Sequence, residues 1–480
     1  MRKSPLLFLP ANLDFKSLTI DKPIYLLKKD EDKFRLLLTL SHIIRIMSKK
    51  AVTDYGSEYV QIKMEYLRIY VLKADLYVKR LIEMGIIECD SKYLIGLKSK
   101  GYRLRYPYNS SPQVVISSNN QFNTFNKKAF IASFDSDSKE LRPLYKHFND
   151  DLEIDYKSAL KDGFCEYWRH NGEELPIFID DIDFEKINGT GIFKRGQEFS
   201  SLEHRKAYHK FINGVVIPIS MIHMKQFYFS VDKSGYRLHT NLTNLNKEQR
   251  KHLSYRGERL VAWDLKNSQP FFLNVLLSSR FWDSRNEVLG YKSLRGELKS
   301  IQRLKLRGID PSITMVEMHE IQSSEAFKDF KKATLEGNLY EKIQSFSVQY
   351  FDKELSREQA KLEFIRILFD KPCSKRNYHF DTDASMIMGF PGVLQFLDNT
   401  FKQKQYNTLA LLLQQIESNV ILRNVCPAIA KKYPEIPLFT VHDSIVTTEG
   451  NEELIKPIIE KEIQRLTEGL TPKLKLEKWF

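Results

Sequence analysis

The sequence is poor in cysteine, with four residues in 480, all far apart and none in a CxxC pair. This scarcity argues against zinc fingers, zinc ribbons and a secreted disulfide framework. No run approaches the roughly 20 apolar residues that a membrane helix needs, and the apolar stretch near the start is too short for a good signal peptide. No GxxxxGK[ST] loop occurs, which argues against a fused helicase or ATPase. We expect a cytoplasmic protein without a membrane partner.

Positive charge and length are what the chain does have. Hydrophobic residues make up 42% and charged residues 28%, a composition typical of a globular protein. Its 480 residues suggest two to four domains at roughly 150 residues each. Lys and Arg number 74 against 61 Asp and Glu, a net charge of +13. That excess favours a polyanionic partner over an acidic substrate, although a generally basic proteome would give the same balance.

The first hundred residues have the element order of a winged helix. Residues 34–48 repeat apolar positions at helical spacing, 64–71 predict a second helix, and 74–88 a third with its apolar stripe on Leu76, Val78, Leu81, Ile82 and Ile86. Two short strands around a basic turn follow. A winged helix places a helix in a groove and a wing on phosphates, although such a fold can also serve protein contacts alone. The candidate nucleic-acid ligands of the wing are Lys98, Lys100 and Arg103.

Composition also suggests the domain boundaries. The winged-helix-like domain is assigned to 1–106, and the Ser-, Asn- and Pro-rich stretch 107–128 is interpreted as a linker. Residues 129–234 have a mixed, mostly helical pattern and are assigned to a thumb-like connector. The segments that could supply catalytic or binding residues are concentrated in 235–480, which is assigned to the catalytic domain.

Two carboxylates in that last region each follow an apolar strand. Asp264 precedes a polar turn and an apolar helix, and Asp443 lies at the tip of an apolar hairpin. Arg357, Lys361 and Phe369 recur at four and eight residues, so they share a helix face. Two carboxylates at adjacent strand ends would hold the two divalent ions of an in-line displacement. A cationic helix face would meet a triphosphate, so the pattern predicts nucleotidyl transfer.

The order of these segments resembles the palm and fingers of family A DNA polymerases and of single-subunit phage-type RNA polymerases. Residues 264–269 (DLKNSQ) are similar to motif A, Arg357-x3-Lys361-x7-Phe369 to motif B, and 441–444 (VHDS) to motif C. Residues 235–245 resemble the segment that contacts the primer–template duplex, and 409–421 resemble the helix that turns a Gln toward the template. The resemblance covers roughly residues 230–480.

It implies an α+β fold: a right-hand polymerase with an antiparallel palm sheet, helical fingers and a thumb-like connector, preceded by the winged helix. It also implies two Mg²⁺ ions, replaceable by Mn²⁺, and DNA primer–template and nucleoside triphosphates as partners. The implied metal ligands are Asp264, Asp443 and the carbonyl of Leu265. The implied nucleotide ligands are Arg357, Lys361 (also a proton donor to pyrophosphate), Phe369, Ser268 and Gln269. The implied primer–template contacts are Arg237, His442, Gln414 and Gln415.

Departures from the family patterns leave the sugar specificity open. Pro270 follows the Ser-Gln pair where many DNA enzymes have a Glu, and Ser444 replaces the Glu of their motif C. Phe369 stands where Tyr is more common, and Asp370 where Gly is usual. Loss of the Tyr hydroxyl favours dNTPs or weak discrimination.

Three functions are therefore compatible with the sequence. The first is a small DNA polymerase of a phage or mobile element, recruited to DNA by the winged helix and lacking proofreading, since no convincing exonuclease carboxylates precede residue 230. The second is a primase or single-subunit polymerase that makes RNA. The third is an inactive DNA-binding replication initiator or regulator. Replication proteins are further candidate partners of the winged helix. The terminal segment 473–477 alternates as a strand and is expected to pair beside the 441–444 hairpin.

Overall fold

The protein is described here from a computed structural model. The structure describes residues 6–10, 12–15, 17–25, 28–49, 59–92, 99–109, 112–116, 140–170, 212–232, 234–370, 389–402, 404–471 and 473–480. Its fold class is α+β, and every strand pairing among these residues is antiparallel. Within these ranges no helix is both long enough and apolar enough to cross a bilayer.

Three helices and a small sheet form the N-terminal helix–sheet unit. The helices are α1 (Lys29–Lys49), α2 (Met64–Tyr70) and α3 (Ala74–Glu83). The sheet consists of β2 (Val60–Gln61), β3 (Ile87–Cys89) and β4 (Gly101–Leu104), with β4 in the centre. Apart from β2, which was not predicted, this is the element order predicted from the sequence, and the winged-helix interpretation itself stays a prediction.

The buried face of α3 differs from the predicted stripe. Leu76 and Ile82 are exposed, whereas Tyr77 is fully buried. The Tyr77 hydroxyl donates to Oδ1 of Asp32 at 2.7 Å, and Asp32 also accepts the backbone N–H of Ile24 at 2.7 Å. A tyrosine with a buried hydrogen-bond partner can enter the core, and here it rotates the helix away from the periodicity of its aliphatic residues.

The predicted linker 107–128 is wrong for part of its length. Strand β5 (Pro112–Ile116) pairs with β1 (Leu6–Pro10), with Phe8 opposite Val114. Its consecutive valines suit a strand, and only its long-range pairing with β1 reveals it. Residues 117–128 lie outside the described residues, as does Lys98 of the predicted wing.

The region assigned to the connector also supplies a strand to the main sheet. Its described elements are α4 (Arg142–Tyr145), β6 (Leu152–Ile154), α5 (Tyr156–His170), a π-helix (Ile212–Val216), α6 (Ile217–His223) and β7 (Phe229–Val231). Strand β6 pairs with β9 (Leu253–Tyr255), and β7 pairs with β8 (Leu238–Thr240). Both pairings cross the predicted boundary at residue 234.

The central sheet has the order β11-β12-β10-β9-β6, with β13 also paired to β10. Its remaining strands are β10 (Glu258–Leu265), β11 (Phe439–Val441), β12 (Ser444–Thr448) and β13 (Leu474–Lys478). The prediction that the terminal strand lies beside the 441–444 hairpin is wrong. Leu476 of β13 is opposite Trp263 on the edge of β10 away from β12, since β12 already pairs with β11 on one side and β10 on the other.

Helices make up most of the described chain after residue 267. Before residue 337 they are α7 (Ser268–Leu276), α8 (Ser279–Trp282), α9 (Ile301–Leu306), α10 (Pro311–Gln322) and α11 (Glu325–Glu336). The later ones are α12 (Leu339–Phe351), α13 (Arg357–Phe369), α14 (Val393–Phe401), α15 (Thr408–Ser418), α16 (Cys426–Lys432) and α17 (Glu452–Leu466). Short 3₁₀ helices span Lys247–His252, Tyr291–Ser293 and Gly296–Leu298, and a π-helix spans Asn419–Val425.

Alternation along β10 separates the core from the candidate site. Trp263 is 6% exposed, its indole N–H donates to the carbonyl of Glu452 at 2.9 Å, and Lys456 of α17 lies over its ring. Because successive side chains of a strand point to opposite faces, Asp264 points away from α17. The strand is therefore anchored through Trp263 and presents the Asp264 carboxylate near its end.

Candidate functional site

Asp264 and the hairpin turn meet at the edge between β10 and β12. Trp263 is paired with Ile445, so the next residue of β10 falls beside Ser444. The Ser444 hydroxyl donates to Oδ1 of Asp264 at 2.6 Å across 180 residues of sequence. Two segments that the sequence only suggested as neighbours are thus in direct contact.

Asp443 occupies the two-residue turn between β11 and β12, where Val441 is paired with Ser444. The turn is closed by His442, whose φ of 57° lies in the left-handed region. Desolvation, followed by the charges of Glu417 and Asp264, raises the pKa of the Asp443 carboxyl to about 7. Desolvation also raises the pKa of Asp264, against the hydrogen bond from Ser444 and the charge of Lys361. The two predicted carboxylates therefore lie near each other in a poorly solvated site of negative electrostatic potential.

One cationic side chain of helix α13, Lys361, interacts electrostatically with this carboxylate site. Lys361 is exposed, and among the described residues it forms no ion pair. Its charge lowers the pKa of Asp264. Arg357, one turn earlier, is held differently: its Nε donates to Oε1 of Glu341 at 2.7 Å, and its guanidinium lies 5.4 Å from the ring centroid of Tyr340.

Helix α12 also borders the carboxylates, through a tyrosine that sequence reasoning missed. Tyr340 is 2% exposed, and desolvation raises the pKa of its hydroxyl to about 12. The charge of Asp443 contributes to that shift, so α12 and α13 face the hairpin turn together. Phe369, the last residue of α13, is partly buried against the core.

The turn after Asp264 is fixed by an unpredicted glutamate. Leu265, the last residue of β10, is 2% exposed, and Asn267 takes φ 54° before α7 begins. The Ser268 hydroxyl donates to Oε2 of Glu417 at 2.8 Å, and the Gln269 amide donates to the same oxygen. These two predicted nucleotide ligands thus organise the protein's own turn.

Two of the predicted duplex-contacting residues, Arg237 and His442, lie close enough for their charges to interact. Arg237 follows a loop that Asp232 holds by accepting the backbone N–H groups of Gly235 at 2.6 Å and of Arg237 at 3.0 Å. Desolvation, then the charges of Arg237, His239 and Arg250, lower the pKa of His442 to about 4. At neutral pH the imidazole is therefore uncharged within a cationic neighbourhood.

The two candidate glutamines of α15 differ in availability. Gln415 is 4% exposed, its amide donates to the Ser234 carbonyl at 2.6 Å, and its oxygen accepts from the Arg295 backbone at 2.8 Å. Its polar groups are used within the fold, and its role as a duplex ligand stays a prediction. Gln414 is partly exposed beside Gly235, where an added Cβ would lie 2.4 Å from its Oε1.

The wing residues also divide. Arg103 is paired with Glu88 at 2.7 Å and lies over the Tyr59 ring at 4.5 Å, whereas Lys100 is exposed and forms no ion pair in the part of the chain described. The predicted cationic wing is thus partly neutralised by its own sheet.

A comparison with protein-family models finds no match, and neither does a comparison with curated proteins. Among solved structures, the chain is similar to the POL domain of Pol1 from M. smegmatis in complex with DNA primer-template and dNTP. The similarity has a TM-score of 0.31 and 12% identity, and covers 75% of this chain and 72% of that one. A similarity at this level carries no weight in assigning a function, which depends instead on the geometry above.

The donor set at the turn fits a divalent cation that arrives with a substrate. Among the described residues no three His, Cys, Asp or Glu converge in a way that could hold a metal ion by themselves. Mg²⁺ characteristically uses one or two carboxylates and completes its shell with water and substrate phosphates. Asp264 raises the pKa of Asp443, and a bound cation would relieve that repulsion. Asp264 and Asp443 are thus the residues that would hold it.

Glu417 and Asp232 were not identified from the sequence. Glu417 is the one acidic residue of LALLLQQIESNVI (409–421) and is 2% exposed. Since a charge inside an apolar helix is buried only with partners, its position was a usable signal. Asp232 carries no such signal, because its role depends on the loop that folds around it.

Proposed function

We propose that this chain catalyses template-dependent nucleotidyl transfer, as a small family A-like DNA polymerase acting on a primer–template. The observation that carries the proposal is the convergence of Asp264 and Asp443 at the end of β10 and the β11–β12 turn, opposite Lys361 of α13. On this interpretation the central sheet is the palm, and α12 and α13 belong to the fingers.

The roles of the residues follow from their charges and positions. Asp264 and Asp443 would hold Mg²⁺, which in such sites stabilises the attacking and leaving oxygens of the transferred phosphoryl group. Lys361, exposed and unpaired among the described residues, would bind the triphosphate and can protonate the departing pyrophosphate. Arg357 would join it on exchanging Glu341 for phosphate. Ser444 orients the Asp264 carboxylate through its hydrogen bond.

Primer extension with separate variants tests the proposal. Asp264→Asn and Asp443→Asn should each lower Mg²⁺-dependent extension of a labelled primer by at least about a thousandfold, because phosphoryl-transfer metals supply several kcal/mol. Affinity for the primer–template should persist. Asp283→Asn, which removes a surface ion pair with Arg285, is the matched control. Undiminished extension by either site variant would contradict the assignment, and incorporation of NTPs in place of dNTPs would identify the product as RNA.

A further inference from the structure

Glu417 joins three segments of the candidate site through one buried carboxylate. Its Oε1 accepts from Nε of Arg237 at 3.0 Å and from Nη2 of Arg237 at 2.7 Å. Its Oε2 accepts from the hydroxyl of Ser268 and from the amide of Gln269. Helix α15 thereby connects the duplex-contacting segment to the turn that follows Asp264.

Those donors leave the carboxylate with no spare capacity. An ionised carboxylate offers about four acceptor positions, and four donors fill them. Glu417 lies close enough to Asp443 to raise its pKa, which makes a third metal ligand the obvious alternative role. Its saturated hydrogen bonding argues against that role.

The guanidinium of Arg237 is only half used. It has five N–H donors, two of which donate to Oε1 of Glu417. The rest belong to a side chain that is 24% exposed. Because both N–H groups donate to one carboxylate oxygen, they restrict the orientation of the guanidinium, and its other N–H groups form a free edge. The charge of Arg237 reaches His442, whose pKa it lowers.

Building on the proposed polymerase function, we propose that Glu417 is a positioning residue, which aims the free edge of Arg237 at the primer–template and holds the Ser268–Gln269 turn behind Asp264. It contacts neither metal nor nucleotide. Through it, the duplex-contacting segment and the Ser268–Gln269 turn are held by the same side chain.

The backbone around Arg237 does not depend on Glu417, which makes the proposal testable. The Ser418 hydroxyl donates to the Tyr236 carbonyl, the Gln415 amide donates to the Ser234 carbonyl, and Asp232 accepts the Arg237 N–H. Glu417→Gln, nearly identical in shape, should therefore keep the loop in place while it removes the negative charge and one of the two accepting oxygens.

The experiment compares Glu417→Gln, Arg237→Gln and the double variant with wild type, and uses Glu449→Gln, a surface glutamate paired with Lys478, as the control. Three quantities are measured: Mn²⁺ affinity by paramagnetic resonance, primer–template affinity by anisotropy, and kcat and KM for DNA and for dNTP. We expect unchanged Mn²⁺ affinity, unchanged KM for dNTP, and kcat/KM for the primer–template lower by about ten- to a hundredfold. The double variant should be no worse than Arg237→Gln, because the two residues act as one unit.

Each other outcome overturns the proposal. Mn²⁺ binding weakened by about tenfold in Glu417→Gln, the effect usual for altered metal shells, would make it a metal-site residue. Losses that multiply in the double variant would show independent roles, and unchanged DNA parameters would show a purely structural one. If wild type incorporates no nucleotide, the polymerase function fails, while the primer–template affinities of the same four proteins still decide the coupling of Glu417 to Arg237.

Discussion

Two cations of α13 meet the site in different states. Lys361 is exposed and unpaired among the described residues, and its charge already acts on Asp264. Arg357 is bound to Glu341 in an exchangeable, exposed ion pair. Exposed pairs contribute roughly 0–1 kcal/mol, so Glu341 is a weak competitor for Arg357 against a triphosphate. Under the proposed function, the nucleotide-free protein thus has Lys361 available for a triphosphate, while Arg357 is held only by a weak, exchangeable ion pair.

A buried histidine beneath the central sheet makes stability depend on pH. His147 is 5% exposed and packs edge-on against Tyr255 and Phe439. Desolvation, followed by the charge of Lys146, lowers its pKa to about 4. In the unfolded chain the His147 imidazole takes up a proton near pH 6.5. In the folded chain it takes up that proton only near pH 4. Its contribution to stability is therefore complete above pH 6.5 and is lost as the pH falls toward 4.

We expect the free energy of unfolding to fall by on the order of 3 kcal/mol across that window because of His147. His147→Gln should remove about one proton from the pH slope between 6.5 and 4, as measured by urea denaturation at several pH values. An identical slope in the variant would show that His147 is protonated in the folded protein.

At the scale of elements, a capping box fixes the residue at which α13 begins. The Ser356 hydroxyl accepts the backbone N–H of Gln359 at 3.1 Å, and the Gln359 amide oxygen accepts that of Ser356 at 2.7 Å. The S-x-x-Q pattern is visible in the sequence, and such a box satisfies two donors that the first turn leaves free. The cap sets where Arg357 and Lys361 emerge.

Ser356→Ala should destabilise the protein by about 1 kcal/mol and speed hydrogen exchange of the first-turn amides of α13. Ser345→Ala, at an exposed position inside α12, is the control and should be neutral or slightly stabilising, since alanine is the better helix former. Equal effects of the two substitutions on melting temperature would argue that the cap does not hold the turn.

The sequence predicted individual helices and strands better than it predicted which elements and side chains contact each other. Strand β10, the β11–β12 hairpin and α13 were predicted because each has a local pattern: an apolar run, a short turn, a helical repeat. The buried side of α3 was not, since Asp32, 45 residues away, captures the Tyr77 hydroxyl. Glu417 was missed for a similar reason, because its four donors come from two other segments.

The whole molecule gathers its central sheet from distant parts of the chain. Strand β6 at residues 152–154 and β13 at 474–478 both flank the pair β9–β10, and Asp264 meets Ser444 across 180 residues. Local periodicity carries no information on which strands pair over such separations. That is why the strand pairings across residue 234 and the partner of β13 were not predicted.

The net charge of +13 predicts nucleic-acid binding, and the N-terminal helix–sheet unit offers a matched pair to locate it. Each phosphate that a lysine or arginine neutralises on duplex DNA adds about 0.9 to the salt slope of binding. Lys100→Gln should therefore reduce that slope by about one, because Lys100 is exposed and unpaired in the described part of the unit. Arg103→Gln should leave the salt slope unchanged, since Glu88 already neutralises Arg103.

Anisotropy titrations of a fluorescent duplex across a salt series measure the slopes of both variants, with thermal melts as the control for folding. A slope unaffected by either substitution would assign the charge to the region around Arg237 and α13 and leave the N-terminal unit to protein contacts.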